Sequence, residues 1–214
     1  MRSRTAAALV VAACSYWPIG VAAEKAFVIP PPAVDVGDLQ PSSAAAPGDL
    51  RPAPPAAVPA PASAPDPGRR VFQHTRGVLQ AVSGYAGGTA DTARYDLVSN
   101  GATDHAEAVL VTFDPAQVSY GALLHVFFSV VHDPTQRDRQ GPDVGRHYRS
   151  AIFPADDAQK TVAGRYIEQL DAARAYPARI VTRLEPLSGF YPAEAYHQDY
   201  ATRHPDQPYI AAFD

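Results

Sequence analysis

The sequence predicts an α+β domain in which helices pack as a second layer against a mixed sheet. β-Branched segments alternate irregularly with helical ones, which favours a two-layer sandwich over a doubly wound sheet. Apolar periodicity is concentrated in residues 71–214, and no internal repeat is present. Many of the 22 prolines precede residue 71, and proline disfavours helices and central strands. We therefore expect the ordered core to begin near Val71.

Each expected element follows from a local pattern. Enrichment in β-branched residues predicts a strand at 106–113, and Gly77 closes a helix end. Ser119 is a helix cap, and Tyr120, Leu124 and Phe127 recur at helical spacing. Three glycines within residues 84–88 predict a turn. The elements expected are a helix end at 71–78, strands at 79–83, 106–113, 150–153 and 179–184, and helices at 120–131, from Asp156 or Asp157, and at 193–202.

Residues 1–23 have the pattern of an export signal. Arg2 and Arg4 precede an apolar run over residues 5–14, and small residues at 21–23 suit cleavage before Glu24. The run is too short to span a membrane. Two other interpretations stay open: residues 11–14 resemble a lipoprotein box that would anchor Cys14 to lipid, or the run is a buried apolar helix. Either export pathway places the domain in the periplasm or outside the cell.

Residues 24–70 are rich in proline and alanine and contain few large apolar residues. Such a segment buries too little surface to offset its ordering entropy, so we expect a disordered or polyproline linker. The expected organisation is a signal peptide at 1–23, a linker at 24–70 and a domain at 71–214. Cys14 is the only cysteine, so no thiolate or disulfide is expected in that domain.

The formal net charge is -4 and no basic stripe is present, which argues against nucleic acid as a partner. A monomer is expected. His197 and Glu194 are three residues apart, as a metal pair on a helix would be, but no third ligand has a recognisable spacing. We therefore expect no metal. Glu107 enters a strand, where burial would keep its carboxyl protonated near neutral pH, although a solvated carboxylate has the same pattern.

Six ordered motifs together resemble the methionine sulfoxide reductase A family. They are Ser83-Gly84-Tyr85-Ala86-Gly87-Gly88, Tyr95 before Val98-Ser99-Asn100-Gly101, His105-Ala106-Glu107-Ala108-Val109, Asp133-Pro134-Thr135, Asp143-Val144-Gly145 with Tyr148-Arg149-Ser150-Ala151-Ile152, and Phe190-Tyr191-Pro192-Ala193-Glu194 with Tyr196-His197-Gln198-Asp199-Tyr200. The resemblance covers nearly all of residues 71–210.

The resemblance implies repair of oxidised proteins by reduction of the S-epimer of methionine sulfoxide. A cysteine thiolate attacks the sulfur and becomes a sulfenic acid, which a thiol such as thioredoxin resets without a bound cofactor. The implied acid is Glu107, assisted by the hydroxyls of Tyr95 and Tyr148, while Asp143 supports positioning of the sulfoxide. The implied substrate-binding residues are Tyr85, Tyr191 and His197.

The family's Gly-Cys-Phe-Trp string is absent near Ala64, where it is expected, and residues 63–70 contain no substitute for it. The fold is therefore expected to lack part of its N-terminal strand and nucleophile helix, and the chain is expected to be inactive. Three hypotheses remain: a frameshift within about residues 35–70 of a true reductase gene, a binding module that recognises sulfoxide without turnover, or a remnant without function.

Overall fold

The computed structural model describes residues 7–12, 29–38 and 67–194. The helices are α1 (Pro67–Gln73), α2 (Tyr95–Val98), α3 (Tyr120–Val126), which continues as a π-helical turn over Phe127–Val131, and α4 (Asp157–Ala172). The strands are β1 (Ala7–Ala12), β2 (Val78–Ala86), β3 (Ala106–Phe113), β4 (Arg139–Gln140), β5 (Asp143–Val144), β6 (Ala151–Phe153), β7 (Arg183–Leu184) and β8 (Phe190–Pro192). Short 3-10 turns cover Val36–Asp38, Ala90–Thr92 and Arg146–Tyr148.

Six strands form one sheet in the order β7-β6-β1-β3-β2-β8, and β4 and β5 form a separate hairpin. Only β6 and β7 pair in parallel within the larger sheet. Helices cover one face of this sheet through a large apolar cluster. The mixed sheet and the α+β sandwich predicted from the sequence are confirmed.

The most consequential difference from the sequence prediction is β1. It lies inside the sheet, paired with β3 over six residues and with β6 over three. Leu9 and Val11 face the helical layer, Val10 and Ala12 face the opposite side, and none of the four is more than 1% exposed. Burial on both faces requires a continuous apolar run rather than an alternating one. The expectation that residues 1–70 lie outside the core, with the N-terminal strand incomplete, is therefore wrong for residues 7–12.

Residues 29–38 also pack on the domain, so this part of the expected linker is ordered. Tyr166 and Gln169 of α4 donate hydrogen bonds of 2.8 Å to the carbonyls of Pro30 and Pro31, respectively. The Asp35 carboxylate accepts from the Gly121 amide at 2.9 Å and from the Ser119 hydroxyl. These bonds hold the segment across α3 and α4 although its composition is typical of a linker.

Some of the other predicted elements are confirmed, and others differ from the structure in their bounds. Strand 106–113 is confirmed at both ends, and Ser119 and Asp156 cap α3 and α4 by accepting from Ala122 and Gln159 amides. Residues 84–86 extend β2 instead of forming a turn, and strand 179–184 is reduced to β7. The helix expected at 193–202 lies outside the described residues beyond Glu194.

Gly84 allows β8 to approach β2 closely. A Cβ atom at Gly84 would lie 2.3 Å from the Tyr191 carbonyl oxygen and 2.5 Å from Phe190 Cζ. We expect Gly84→Ala to lower the free energy of unfolding by about 1–3 kcal/mol, as overpacking does. The measurement is denaturant unfolding followed by circular dichroism.

Gly164 provides the matched control because it lies inside α4. A Cβ there would lie 3.6 Å from Leu184 Cδ1, an ordinary contact. Gly164→Ala should therefore be neutral or stabilise by roughly 0.5–1 kcal/mol, the helix-propensity difference between glycine and alanine. Equal stabilities of the two variants would contradict the close approach of β8.

Candidate active site

One end of the sheet gathers most of the residues singled out from the sequence. The strand registers place Ala12 opposite Ala108, and Tyr85 opposite both Glu107 and Tyr191. This end combines the last residues of β1 and β2 with the first residues of β3 and β6. Tyr95, at the start of α2, and Tyr148, at the end of a 3-10 turn, are tied to residues next to these strand ends, so residues far apart in the sequence converge there.

Glu107 and Tyr95 are electrostatically coupled. Partial burial, and next the negative charge of Glu107, raise the pKa of the Tyr95 phenol, and a bond with the Ser99 side chain opposes the rise. A phenol with a raised pKa stays protonated and can donate a hydrogen bond across the neutral range. The pair therefore presents a carboxyl group and a phenol O–H close to one another.

Glu194 connects Tyr95 to the sheet. One carboxylate oxygen accepts from the Tyr95 backbone amide at 3.0 Å, and the other accepts from the Tyr85 hydroxyl at 3.0 Å. Because Tyr85 is only 3% exposed, its ring is part of the wall behind the site. Tyr191 is half-buried, and its side chain is the more accessible of the two.

Arg149 holds the Tyr148 loop in place. Its guanidinium is 3% exposed and forms a two-pronged pair with Glu185, at 2.9 and 2.8 Å. It also donates to the backbone carbonyls of Asp104 and His105 at 2.9 and 3.2 Å. One arginine thus ties the loop to the residues that enter β3, and the planar fork of five donors suits this task.

Asp143 and Tyr148 both lie near His147. Asp143 belongs to the β4–β5 hairpin, and the Tyr148 ring packs on the His147 ring with centroids 4.1 Å apart. Burial lowers the pKa of His147, while the negative charge of Asp143 acts in the opposite direction. The hairpin residue and the phenol are therefore neighbours of one neutral imidazole.

His105 is fully buried where the chain enters β3. Its Nε2 atom lies 3.0 Å from the Thr89 carbonyl, and its ring meets Tyr191 edge-on at 5.6 Å. Burial lowers its pKa. Gly88 makes room for this ring, because a Cβ at Gly88 would lie 2.5 Å from it. His105 therefore acts as a neutral packing residue beside the site.

His132 joins the π-helical turn to β6 in the core. Its Nδ1 lies 3.2 Å from the Phe127 carbonyl, which can only accept, so Nδ1 carries the proton. Nε2 then accepts from the Ser150 hydroxyl at 2.8 Å. Complete burial lowers the pKa of His132 to about 4, from 6.5 in water.

The His132 environment predicts an acid-sensitive fold. Between pH 6.5 and 4 the unfolded chain protonates this histidine while the folded chain does not. The free energy of unfolding therefore falls as the pH drops through that window, and the contribution of His132 is fully present only above it. The expected loss is about 3 kcal/mol. Burial of His105 and His147 acts with the same sign. Thermal unfolding measured from pH 7 to pH 4 provides the test.

His132→Gln keeps a donor and an acceptor but removes the titration, so its unfolding should depend less on pH. His74→Gln is the control, because His74 is exposed beyond α1 and its replacement should leave the dependence unchanged. A wild-type melting temperature that is constant over this range would contradict the account.

The described residues contain neither a metal-binding cluster nor a helix that could cross a membrane. Among the residues that the structure describes, no three His, Cys, Asp or Glu side chains are arranged to hold a metal ion. Nor does any helix within the described ranges have the length and apolarity needed to cross a membrane. A cavity at the carboxyl end of α4, bounded by Leu170 and Arg179, is lined by none of the predicted site residues.

The structure thus brings Glu107, Tyr95 and Tyr85 together and places Asp143 beside the Tyr148 loop. His197 lies outside the described residues, and so does Cys14. Sequence reasoning did not identify Arg149 or Glu194 as residues that organise the site. Both stand inside the recognised motifs, but their partners are distant in the sequence, and no local pattern indicates them.

The chain is similar in sequence to proteins of one family. The sequence profile of the peptide methionine sulfoxide reductase family matches residues 68–213. A peptide methionine sulfoxide reductase of Mesorhizobium japonicum is 56% identical over 144 residues, which cover 67% of this chain and 74% of that protein. One from Thermus thermophilus is 52% identical over 138 residues, covering 64% and 77%.

Solved structures resemble the fold as well. Methionine sulfoxide reductase A of Corynebacterium diphtheriae superposes with a TM-score of 0.55 at 35% identity, covering 64% of this chain and 69% of that one. The reduced form of Mxr1 from Saccharomyces cerevisiae gives 0.53 at 34% identity, covering 62% and 77%.

The family match and the α+β sandwich together place the chain in the class of sulfoxide-reducing oxidoreductases. The chain belongs to the peptide methionine sulfoxide reductase family.

Proposed function

We propose that this chain reduces methionine-S-sulfoxide in oxidised proteins and that Cys14 is its nucleophile. The observation that carries the proposal is the position of β1, whose last residue, Ala12, stands opposite Ala108 and next to Glu107 in the neighbouring strand. The expectation of inactivity rested on the absence of a thiolate from residues 71–214, and β1, which ends two residues before Cys14, lies inside the sheet.

Cys14 itself lies outside the described residues. In the sequence it follows Ala12, the last residue of β1, by two positions. Cys14 is the only thiol in the chain, so a thiol mechanism within one chain has no other nucleophile.

The proposed reaction balances as an oxygen transfer. The Cys14 thiolate attacks the sulfoxide sulfur, the sulfoxide oxygen takes up a proton, and the cysteine becomes a sulfenic acid while methionine is released. Two external thiols then reduce the sulfenic acid, forming a disulfide between them and one water molecule. A thioredoxin-like protein is the proposed donor, and no bound cofactor takes part.

The described residues have separate roles in this proposal. Glu107 supplies the proton to the sulfoxide oxygen, and the Tyr95 and Tyr148 hydroxyls hydrogen-bond that oxygen as negative charge develops on it. Asp143 helps to position the sulfoxide. Tyr191 forms part of the proposed substrate wall with His197, and Tyr85 supports that wall from behind.

The aromatic wall for the substrate methyl group has a candidate in the sequence after Cys14. Tyr16 and Trp17 follow with Ser15 between them and the cysteine, whereas the family string has Phe-Trp directly after cysteine. This one-residue difference shifts the aromatic pair relative to the thiol. We propose that Tyr16 and Trp17 take the place of the family's Phe-Trp pair.

A second candidate function is sulfoxide binding without turnover. The observation in its favour is that residues 15–66 separate Cys14 from α1. A thiol at a helix N-terminus has a lowered pKa, and Cys14 does not directly precede α1. If no other charge activates Cys14, the pocket would bind the sulfoxide and leave it unchanged.

A turnover assay distinguishes the two functions. The full 214-residue chain is incubated with dithiothreitol and an N-acetylated methionine sulfoxide peptide, supplied separately as the S- and R-epimers. Methionine from the S-epimer alone supports the proposed reductase. Binding of the S-epimer, measured by calorimetry, without formation of methionine supports the binding module. If the chain neither forms methionine nor binds the S-epimer, both candidate functions are contradicted.

Export remains a separate proposal with a structural condition. Cleavage after Ala23, or at Cys14, would remove residues 7–12 from the mature chain, and with them β1. We propose that the folded protein keeps residues 7–12, whether it is exported or stays in the cytoplasm. The mass of the intact protein recovered from periplasmic and cytoplasmic fractions tests the proposal, and a folded product that begins at Glu24 would overturn it.

A further inference from the structure

Glu194 bridges two elements that the sequence separates widely. Its Oε1 accepts from the Tyr95 amide and its Oε2 accepts from the Tyr85 hydroxyl, both at 3.0 Å. The residue before α2, Arg94, makes no side-chain cap, so the first amide of that helix is satisfied from 99 positions away. Burial of an unsatisfied amide would be costly, which gives this bond a clear structural value.

The sheet presents Glu194 at this point. β8 pairs with the end of β2, with Pro192 opposite Gly84, and the Ala193 amide continues the pairing by donating to the Ser83 carbonyl at 2.9 Å. Glu194 is the next residue in the chain. Its position is therefore fixed by strand pairing rather than by a flexible side-chain reach.

The bridge ends next to the proposed proton donor. Tyr85 is the register partner of Glu107, so the Glu194 carboxylate links the Tyr95 backbone to the strand position beside Glu107. Partial burial is the largest cause of the raised pKa of the Tyr95 phenol. The Glu107 charge from β3 and the Glu194 charge after β8 raise this pKa further, and the Ser99 side chain lowers it.

We propose that Glu194 is a positioning residue that fixes the Tyr95 phenol beside Glu107. This inference rests on the proposed function. Glu194 does not transfer the proton itself. It acts through Tyr95, whose hydroxyl must meet the sulfoxide oxygen as charge develops there.

The first test follows the Tyr95 phenol directly and needs no turnover. In full-length protein labelled with carbon-13 at tyrosine Cζ, the Tyr95 resonance is assigned by its loss in Tyr95→Phe and titrated with base. We expect Glu194→Gln to lower the Tyr95 pKa, because it removes a negative charge while retaining an amide oxygen that can accept a hydrogen bond. Glu168→Gln, at an exposed position of α4, should not change it.

The second test is kinetic. With the S-sulfoxide peptide, Glu194→Ala should lower kcat by roughly ten- to hundredfold, the effect of a misplaced catalytic group, with KM changed by less than about twofold. Glu194→Gln and Tyr85→Phe should each lose less, because each keeps one of the two bonds. These milder variants also keep the proposal testable if Glu194→Ala fails to fold.

The outcomes separate the two proposals. If the wild-type chain is inactive, the proposed function fails, and the titration still decides whether Glu194 controls Tyr95. If the wild-type chain is active but the Tyr95 titration and kcat are unchanged in Glu194→Gln and Glu194→Ala, the positioning role is overturned. Lower stability with an unchanged Tyr95 titration would also overturn it, since that is the result of a purely structural contact.

Discussion

A chain that begins at Glu24 is expected to lose cooperative unfolding. The missing strand, β1, buries Leu9, Val10 and Val11 almost completely, and burial of such side chains contributes about 1.5–3 kcal/mol each. Their sum is comparable with the whole stability of an ordinary domain, roughly 5–15 kcal/mol. Removal would also expose the facing edges of β3 and β6 inside the sheet, and unpaired edges promote aggregation.

The measurement is thermal unfolding by near-ultraviolet circular dichroism, with the full chain and a chain starting at Thr5 as references. Both references keep β1 and should melt in one sharp transition. A chain from Glu24 that melts at the same temperature as the full chain would show that β1 is dispensable. Residues 1–23 would then be a removable leader, as the sequence pattern alone indicates.

A point substitution tests the same contribution of β1 to folding without shortening the chain. Val11→Asp places an unpaired carboxylate at a fully buried position of β1 and should prevent folding near neutral pH. Leu79→Asp is the matched control, because Leu79 on β2 is 60% exposed. Its expected effect is within about 0.5 kcal/mol.

Cys14→Ser is expected to abolish sulfoxide reduction without changing the fold. A serine hydroxyl at neutral pH is far less nucleophilic than a thiolate. We expect turnover to fall by at least about a thousandfold, the scale on which removal of a nucleophile acts. Initial rates of methionine formation with dithiothreitol provide the measurement.

Two controls accompany this variant. Ser15→Ala changes the neighbouring hydroxyl and should keep the rate within a few-fold of wild type. Iodoacetamide should label one site per wild-type chain and stop turnover in step with labelling, because the chain has a single cysteine. Residual activity in Cys14→Ser equal to that of wild type would exclude Cys14 as the nucleophile.

The parts of the fold that could be predicted are those with a local pattern. The sequence of β3 is rich in β-branched residues and is bounded by the polar residues His105 and Asp114, so both ends of the strand are predicted correctly. α3 and α4 are indicated by apolar spacing and by the capping side chains of Ser119 and Asp156. These signals need no knowledge of distant residues.

β1 was missed for a physical reason. A short apolar run has no periodicity to separate a strand buried on both faces from the apolar region of an export signal. Leu9–Ala12 satisfies both patterns, and only the pairing with β3 and β6 distinguishes them. The same ambiguity led to the expectation that Cys14 lies outside the folded core.

The sequence predicts which residues form the site but not the hydrogen bonds and packing contacts that join them. Motifs identified Glu107 and Tyr95, whereas the Glu194 bridge joins positions 99 residues apart. The cluster of glycines predicts a turn that includes Gly84, yet in the structure this residue allows β8 to lie close to β2. Contacts of this kind depend on the assembled sheet.

A single-turnover experiment decides whether Cys14 reduces the sulfoxide. The full chain is reduced, freed of thiol and mixed with an excess of the methionine-S-sulfoxide peptide. The methionine formed is then quantified, and the mass of the protein is measured by mass spectrometry. We expect about one methionine per chain and one added oxygen on Cys14, with neither in Cys14→Ser. A folded wild-type chain that forms no methionine would show that Cys14 is not a reductase nucleophile and would leave a family member without reductase activity.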